Sequence, residues 1–209
     1  MDNVDADARL AKDILKAPII IKAGETAPAD TVSHTHYPVA QHLKTALLLK
    51  LLCHINSKSV LVFTRTKHRA KRLGEQLTRA GFRSTSLQGN LSQGRRQEAL
   101  DGFRNGRFQV LVATDIAARG IDVCQISHVI NYDMPNSTEA YIHRIGRTGR
   151  AAQSGDACTL ITSDDKKMVN AIDRLVGSKV QRCTLADFDY NTPASNKKFP
   201  TGRTSRRHW

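Results

Sequence analysis

Three arginines recur at every third position where residues 141–150 read Tyr-Ile-His-Arg-Ile-Gly-Arg-Thr-Gly-Arg: Arg144, Arg147 and Arg150, with Gly146 and Gly149 between them. A helical repeat of about 3.6 residues would bring such a triplet near one face. The glycines leave the backbone open to a ligand. Guanidinium groups keep their charge at any useful pH and present planar forks of donors, so the cluster suits a polyphosphate. A solvated basic helix end has the same composition, and charge alone does not separate the two. Other polar groups fall just after apolar runs of strand length. Thr64-Arg65-Thr66 follow the first such run, Thr114-Asp115 the second and Asp133 the third.

The 209 residues carry a formal charge of +13 and a pI near 10.0, which points to a polyanionic partner, nucleic acid before membrane. No apolar run approaches the roughly 20 residues that span a bilayer. The opening Met-Asp-Asn-Val-Asp-Ala-Asp is acidic and does not read as a secretory or transit signal. The four cysteines, Cys53, Cys124, Cys158 and Cys183, are far apart with no Cys-x-x-Cys pair. Neither a zinc site nor a disulfide framework is expected, and a reducing cytoplasm is the simplest home.

Ala8, Leu10, Ala11, Ile14 and Leu15 suggest a helix over residues 5–16, ended by Pro18. Strands are expected over 32–39, 59–64, 83–87, 108–113, 127–132, 156–162 and 179–183. Helices are expected over 41–55, 67–80 (stopped by Gly81), 92–104 (capped by Ser92), from Thr138 into the arginine cluster, and 163–177. Asp164-Asp165 reads as a helix start favoured by the dipole. Strands apolar on both faces, alternating with amphipathic helices, predict an α/β fold: three layers, a mainly parallel sheet flanked by helices on both faces. Right-handed crossovers make it doubly wound, and ligands then bind beyond the carboxyl ends of the strands, where the polar clusters fall. Phe63, Phe103 and Phe108 sit in apolar frames and read as core.

Four blocks carry a resemblance. They are 60–66 (Val-Leu-Val-Phe-Thr-Arg-Thr), 93–96 (Gln-Gly-Arg-Arg), 113–122 (Ala-Thr-Asp-Ile-Ala-Ala-Arg-Gly-Ile-Asp) and 143–150, which opens with His143. In order and spacing they resemble the C-terminal RecA-like domain of DEAD-box ATP-dependent RNA helicases, over roughly residues 8–176. The stretches Asn-Leu-Ser-Gln-Gly-Arg-Arg and Ile-Ala-Ala-Arg-Gly-Ile-Asp look most like the bacterial RhlE-type branch. One departure is Gln88, where the family commonly has histidine before Gly89.

The resemblance implies that Arg147 and Arg150 are catalytic, reaching the β- and γ-phosphates of an ATP held by a partner domain. A donor placed on the γ-phosphoryl charge is worth about 10³ to 10⁵ in rate. It also implies that Gly120, Asp122, Arg119, His143 and Arg144 serve ATP binding and the contact between domains. Thr64, Arg65, Gln93, Arg96, Thr114 and Asp115 are implied RNA contacts, addressed to the backbone and indifferent to base sequence. For Asp122 a loop-capping role, for His143 a helix-surface role and for Thr64 a strand-end role remain open.

The sequence holds neither a Gly-x-x-x-x-Gly-Lys-Ser/Thr loop nor Asp-Glu-Ala-Asp. In the resembled family these belong to the first RecA-like domain, with the Mg²⁺ carboxylates. The expected division is therefore residues 1–30 as the tail of a preceding domain and linker, 31–186 as the C-terminal RecA-like domain, and 187–209 as a basic, disordered tail. ATP and Mg²⁺ would be bound mainly by the absent first domain, no metal is assigned to this chain, and the piece alone would not hydrolyse ATP. The expected partners are RNA and the N-terminal RecA-like domain of the same protein, with no membrane. A stand-alone RNA-binding or annealing module is the alternative, and a DNA helicase lobe is a further rival.

Overall fold

The computed structural model describes residues 31–55, 59–119, 121, 126–149, 154–177 and 180–194. In chain order the elements are β1 (Val32–Pro38), a 3₁₀ turn (Gln41–Leu43) leading into α1 (Lys44–Ile55), β2 (Val60–Phe63), α2 (Lys67–Arg79), β3 (Ser84–Leu87), α3 (Gln93–Arg104) and β4 (Val110–Ala113). They continue with α4 (Asp115–Ala118), β5 (His128–Asn131), α5 (Thr138–Ile145), β6 (Gly155–Ile161), a 3₁₀ turn (Ser163–Asp165) into α6 (Lys166–Val176), and β7 (Val180–Arg182). The strands form one sheet in the order β3-β4-β2-β5-β6-β1-β7, with every neighbouring pair parallel. All seven strands expected from the sequence are present.

Period-two alternation explains why the central strands are apolar throughout. Val60 and Val62 of β2, with Val110, Val112 and Ile130, pack against Leu47, Leu48, Leu51 and Leu52 of α1 and Leu73 and Leu77 of α2. Leu61 and Phe63, with Leu111 and Val129, face the other way onto Ala99, Leu100 and Phe103 of α3 and Ala117 and Ala118 of α4. Farther along that second face, Ala157 and Ile161 of β6 meet Tyr141, Ile142 and Ile145 of α5 and Val169 and Ile172 of α6. β2 and β4, covered on both faces, carry no polar side chain, so polarity is displaced to their ends.

Four local expectations change. The cap of α5 is Ser137, whose hydroxyl accepts from the Ala140 amide at 3.1 Å, not Thr138. The four-residue α4 was not anticipated, because one turn is too short to show a period. Helix α5 ends at Ile145 with Gly146 as its cap, so Arg147 lies past the helix and does not share a helical face with Arg144. The ordered fold also continues beyond Ala186. Asp187 pairs with Lys50 at 2.7 Å, Phe188 packs edge-on to Tyr190 at 4.8 Å, and the Tyr190 hydroxyl accepts from the Leu185 amide at 2.9 Å. Phe188 and Tyr190 have apolar rings to bury against the α1 side, which outweighs the polar composition around them. Residues 1–30 and 195–209, with the expectations placed on them, lie outside the described residues. Asp165 accepts from the Thr162 amide at 2.8 Å and hydroxyl at 2.7 Å, so it serves the start of α6 as expected.

Candidate nucleotide-binding site

β4, β2 and β5 are adjacent, so the turns leaving their carboxyl ends lie side by side. One guanidinium ties them together. Arg144, on the inner side of α5, is 2% exposed. Its Nε and Nη2 donate to the two carboxylate oxygens of Asp115 at 2.6 and 2.8 Å. Its Nη1 donates to the Asn131 side-chain oxygen at 3.0 Å and to the Asp133 carbonyl at 2.7 Å. The Phe63 ring lies 5.0 Å from the guanidinium carbon. Four of its five N–H groups are thereby engaged within the chain, which leaves it little to give a second domain. Arg144 thereby ties α4, β5 and α5 together. Asp115, expected at the RNA, is its bidentate partner.

Asp133 pins the neighbouring turn. Its carboxylate, 3% exposed, accepts from the Arg65 amide at 2.8 Å and from Arg69 Nη1 at 2.5 Å, so the exit of β5 holds the start of α2. Lys44 comes from the other face. Its Nζ donates to the Tyr132 carbonyl at 3.0 Å, and burial pulls its pKa down. Asn131 and Lys44 are not singled out from the sequence, and Asp133 is placed at a strand end without a role. The only available signal was position, since each stands at the end or start of an apolar segment.

Past α5 the chain turns sharply. The Thr148 hydroxyl, buried, donates to the Ile126 carbonyl at 2.5 Å, with the Ser127 carbonyl at 3.0 Å. Gly149 has φ +68, and a Cβ there would lie 2.6 Å from Val32 Cγ2. Glycine is thus required by the left-handed backbone and by the approach of β1, a different reason from ligand access. This turn presents Arg147, whose Nη1 donates to the Ile121 carbonyl at 3.1 Å. Arg147, Arg119 and His143 line one open cleft of about 380 Å³, floored by Phe63, Asp115 and Arg144. Arg119 and His143 are exposed and Arg147 is half-buried. Such a cleft, walled by cations at the crest of a parallel sheet, fits an anionic polyphosphate. Arg150, Gly120 and Asp122 lie outside the described residues. Among the described residues no group of three or more His, Cys, Asp or Glu could hold a metal ion. Mg²⁺ would therefore fit here only as an ion brought with a phosphate, not one caged by these side chains.

The residues expected at RNA divide. Arg65 and Gln93 are exposed and Thr114 is half-buried at the end of β4. Arg96 donates through Nη2 to the Ala117 carbonyl at 2.8 Å, tying α3 to the last turn of α4. Thr64 is fully buried with its hydroxyl directed to the Thr66 carbonyl at 3.4 Å, so its side chain has no surface for RNA.

These features define a parallel α/β lobe with an anion cleft at its crest, the architecture of the RecA-like domains. Residues 43–152 match the family of the helicase conserved C-terminal domain. The chain belongs to that family, and its relatives make it the C-terminal RecA-like domain of the DEAD-box RNA helicases. It is 44% identical over 158 residues to DEAD-box ATP-dependent RNA helicase 21 of Oryza sativa subsp. japonica, covering 75% of this chain and 22% of that one. Among solved structures, the Escherichia coli DEAD-box protein SrmB bound to regulator of ribonuclease activity A superimposes with a TM-score of 0.72. The match is 36% identical and covers 79% of this chain and 98% of that one. Saccharomyces cerevisiae Dbp5 bound to RNA and ADP BeF3 gives a TM-score of 0.75 at 28% identity, covering 88% of this chain and 49% of that one. The chain spans less than half the length of the curated relatives it matches. Among the described residues no helix is long and apolar enough to cross a membrane.

Proposed function

We propose that this chain is the second lobe of an ATP-dependent RNA helicase and supplies cations to an ATP held mainly by a first RecA-like lobe. The observation that carries the reading is Arg147, held at the lip of the cleft by the Thr148–Gly149 turn beside Arg119 and His143. Arg147 and Arg150 act on the γ-phosphoryl charge as it spreads in the transition state. Gly120, Asp122, Arg119 and His143 serve the nucleotide and the facing lobe, while Arg144 holds the crest in register. Arg65, Gln93, Arg96 and Thr114 contact the RNA backbone, so binding is indifferent to base sequence. ATP and Mg²⁺ are shared with the first lobe. Cycles of closing and opening on RNA would separate short duplexes.

The segments Asn-Leu-Ser-Gln-Gly-Arg-Arg at 90–96 and Ile-Ala-Ala-Arg-Gly-Ile-Asp at 116–122 support an RhlE-type, bacterial, cytoplasmic helicase within the family. The lobe alone does not hydrolyse ATP, because it lacks the phosphate loop and the acidic motif. The test is phosphate release from the 209-residue chain with ATP, Mg²⁺ and RNA. A rate at the blank is expected, and RNA-stimulated release well above it would overturn the division of labour. Equal affinity for single-stranded DNA and RNA would favour a DNA helicase lobe, since discrimination rests on the 2′-hydroxyl.

A further inference from the structure

Charge is unevenly distributed along the sheet. Between residues 67 and 107, which form the β3 end, ten Lys and Arg stand against three Asp and Glu. Between residues 154 and 194, toward the opposite edge, five stand against six. The basic end holds an open cleft of about 560 Å³, formed where the outer edge of β3 runs between α2 and α3. Lys71 and Arg79 of α2 line one side and Arg95 of α3 the other, all exposed, with Ser84, Thr85 and Ser86 along the strand. Arg79 is 77% exposed and reaches Glu75 only at 3.6 Å. Among the described residues, neither Lys71 nor Arg95 has a carboxylate within ion-pairing distance.

The cleft extends to the carboxyl end of β3, at Gln88, Asn90 and Leu91. Its upper end is the turn after β3, where Gln88 accepts from the Asn90 amide at 2.7 Å and Lys67 Nζ donates to the Asn90 side chain at 3.0 Å. Gln93 and Arg96 begin the next helix. Arg95 follows Gln93 on the same helix and faces Lys71 across the cleft, where Glu75 is the one acidic side chain in the lining against three cations. No aromatic ring lines the cleft, so bases have no stacking platform and only the backbone can be held.

We propose that this β3-edge cleft is a second RNA-binding subsite, taking the phosphodiester backbone of single-stranded RNA that flanks the segment bound at the crest. The inference rests on the RNA reading above and extends it. It makes the lobe's affinity depend on RNA length, with Lys71, Arg79 and Arg95 each neutralising a phosphate.

The test is equilibrium binding of the 209-residue chain to end-labelled oligouridylates of about 6 and about 20 nucleotides, at several salt concentrations. It compares the natural chain with the triple variant Lys71→Gln, Arg79→Gln, Arg95→Gln. The variant is expected to lose on the order of tenfold in affinity for the long RNA at low salt, with a log–log salt slope shallower by about 2, from ~0.7 per phosphate. Affinity for the short RNA and the melting temperature should not change. Equal losses on both RNAs, or none on either, would overturn the subsite. If the substitutions spare both RNAs but abolish binding of a glutamate-rich peptide, the cleft is a protein dock instead. If the natural chain binds neither RNA, the helicase reading fails along with the subsite.

Discussion

At the scale of single residues, the least solvated charge at the crest, Arg144, is tied up within the chain, and more solvated ones line the cleft. Arg144 has its donors satisfied by Asp115, Asn131 and Asp133, whereas Arg119 and His143 face an open cleft. Breaking a buried ion pair by removing one partner costs about 3–5 kcal/mol. Arg144→Met should fall near the lower end, since Asp115 keeps 41% of its side chain exposed and can recover water. Chemical denaturation of the chain reads this directly, and a loss below about 1 kcal/mol would mean the network is ornamental. Arg144→Lys should recover little, because an ammonium cannot fork across two carboxylate oxygens. His36 provides a pH-dependent counterpart. It is fully buried in β1, neither ring nitrogen has a hydrogen-bond partner among the described residues, and burial lowers its pKa. Asp173 at 3.6 Å offsets only part of that. A depressed histidine pKa means the unfolded chain takes up the proton first, so stability is full above the unfolded value near 6.5 and falls as pH drops below it. His36→Phe should flatten the denaturation midpoint between pH 7 and pH 5. An unchanged slope would show that His36 does not titrate against folding.

At the scale of elements, β2 and β4 were legible because each is a short apolar run closed by polar residues and buries all four side chains, and β1 was legible from its alternation. The helices that cover them were legible from Leu47, Leu51, Leu73 and Leu77 at helical spacing. What resisted reading was local and polar. Whether Arg144 is inside or outside depends on Asp115 of α4 and Asn131 of β5 arriving from elsewhere in the chain, information no window around residue 144 contains. Helix α4 is a single turn. The Thr148–Gly149 turn owes its shape to β1, more than a hundred residues earlier in the chain. Gly149→Ala would force a Cβ into a left-handed backbone, at about 1–2 kcal/mol, and against Val32 as well. The chain should be measurably less stable in denaturant, and an intact enzyme carrying the change should turn over more slowly because Arg147 is displaced. A variant as stable and as active as the natural sequence would show that the turn does not position Arg147.

At the scale of the whole molecule, a parallel sheet provides one edge where every strand ends, and Arg119, His143 and Arg147 line a cleft there. The lobe has donors for phosphate but no phosphate loop and, among the described residues, no metal cage. That asymmetry is why catalysis is assigned to a pair of lobes and Arg147 to its transition state. The most direct measurement is RNA-stimulated ATP turnover by the intact enzyme carrying Arg147→Ala, with RNA affinity determined on the same preparation. Turnover should fall by about 10³ or more with RNA affinity preserved. Undiminished turnover, or an RNA affinity lost in the same proportion, would contradict the assignment.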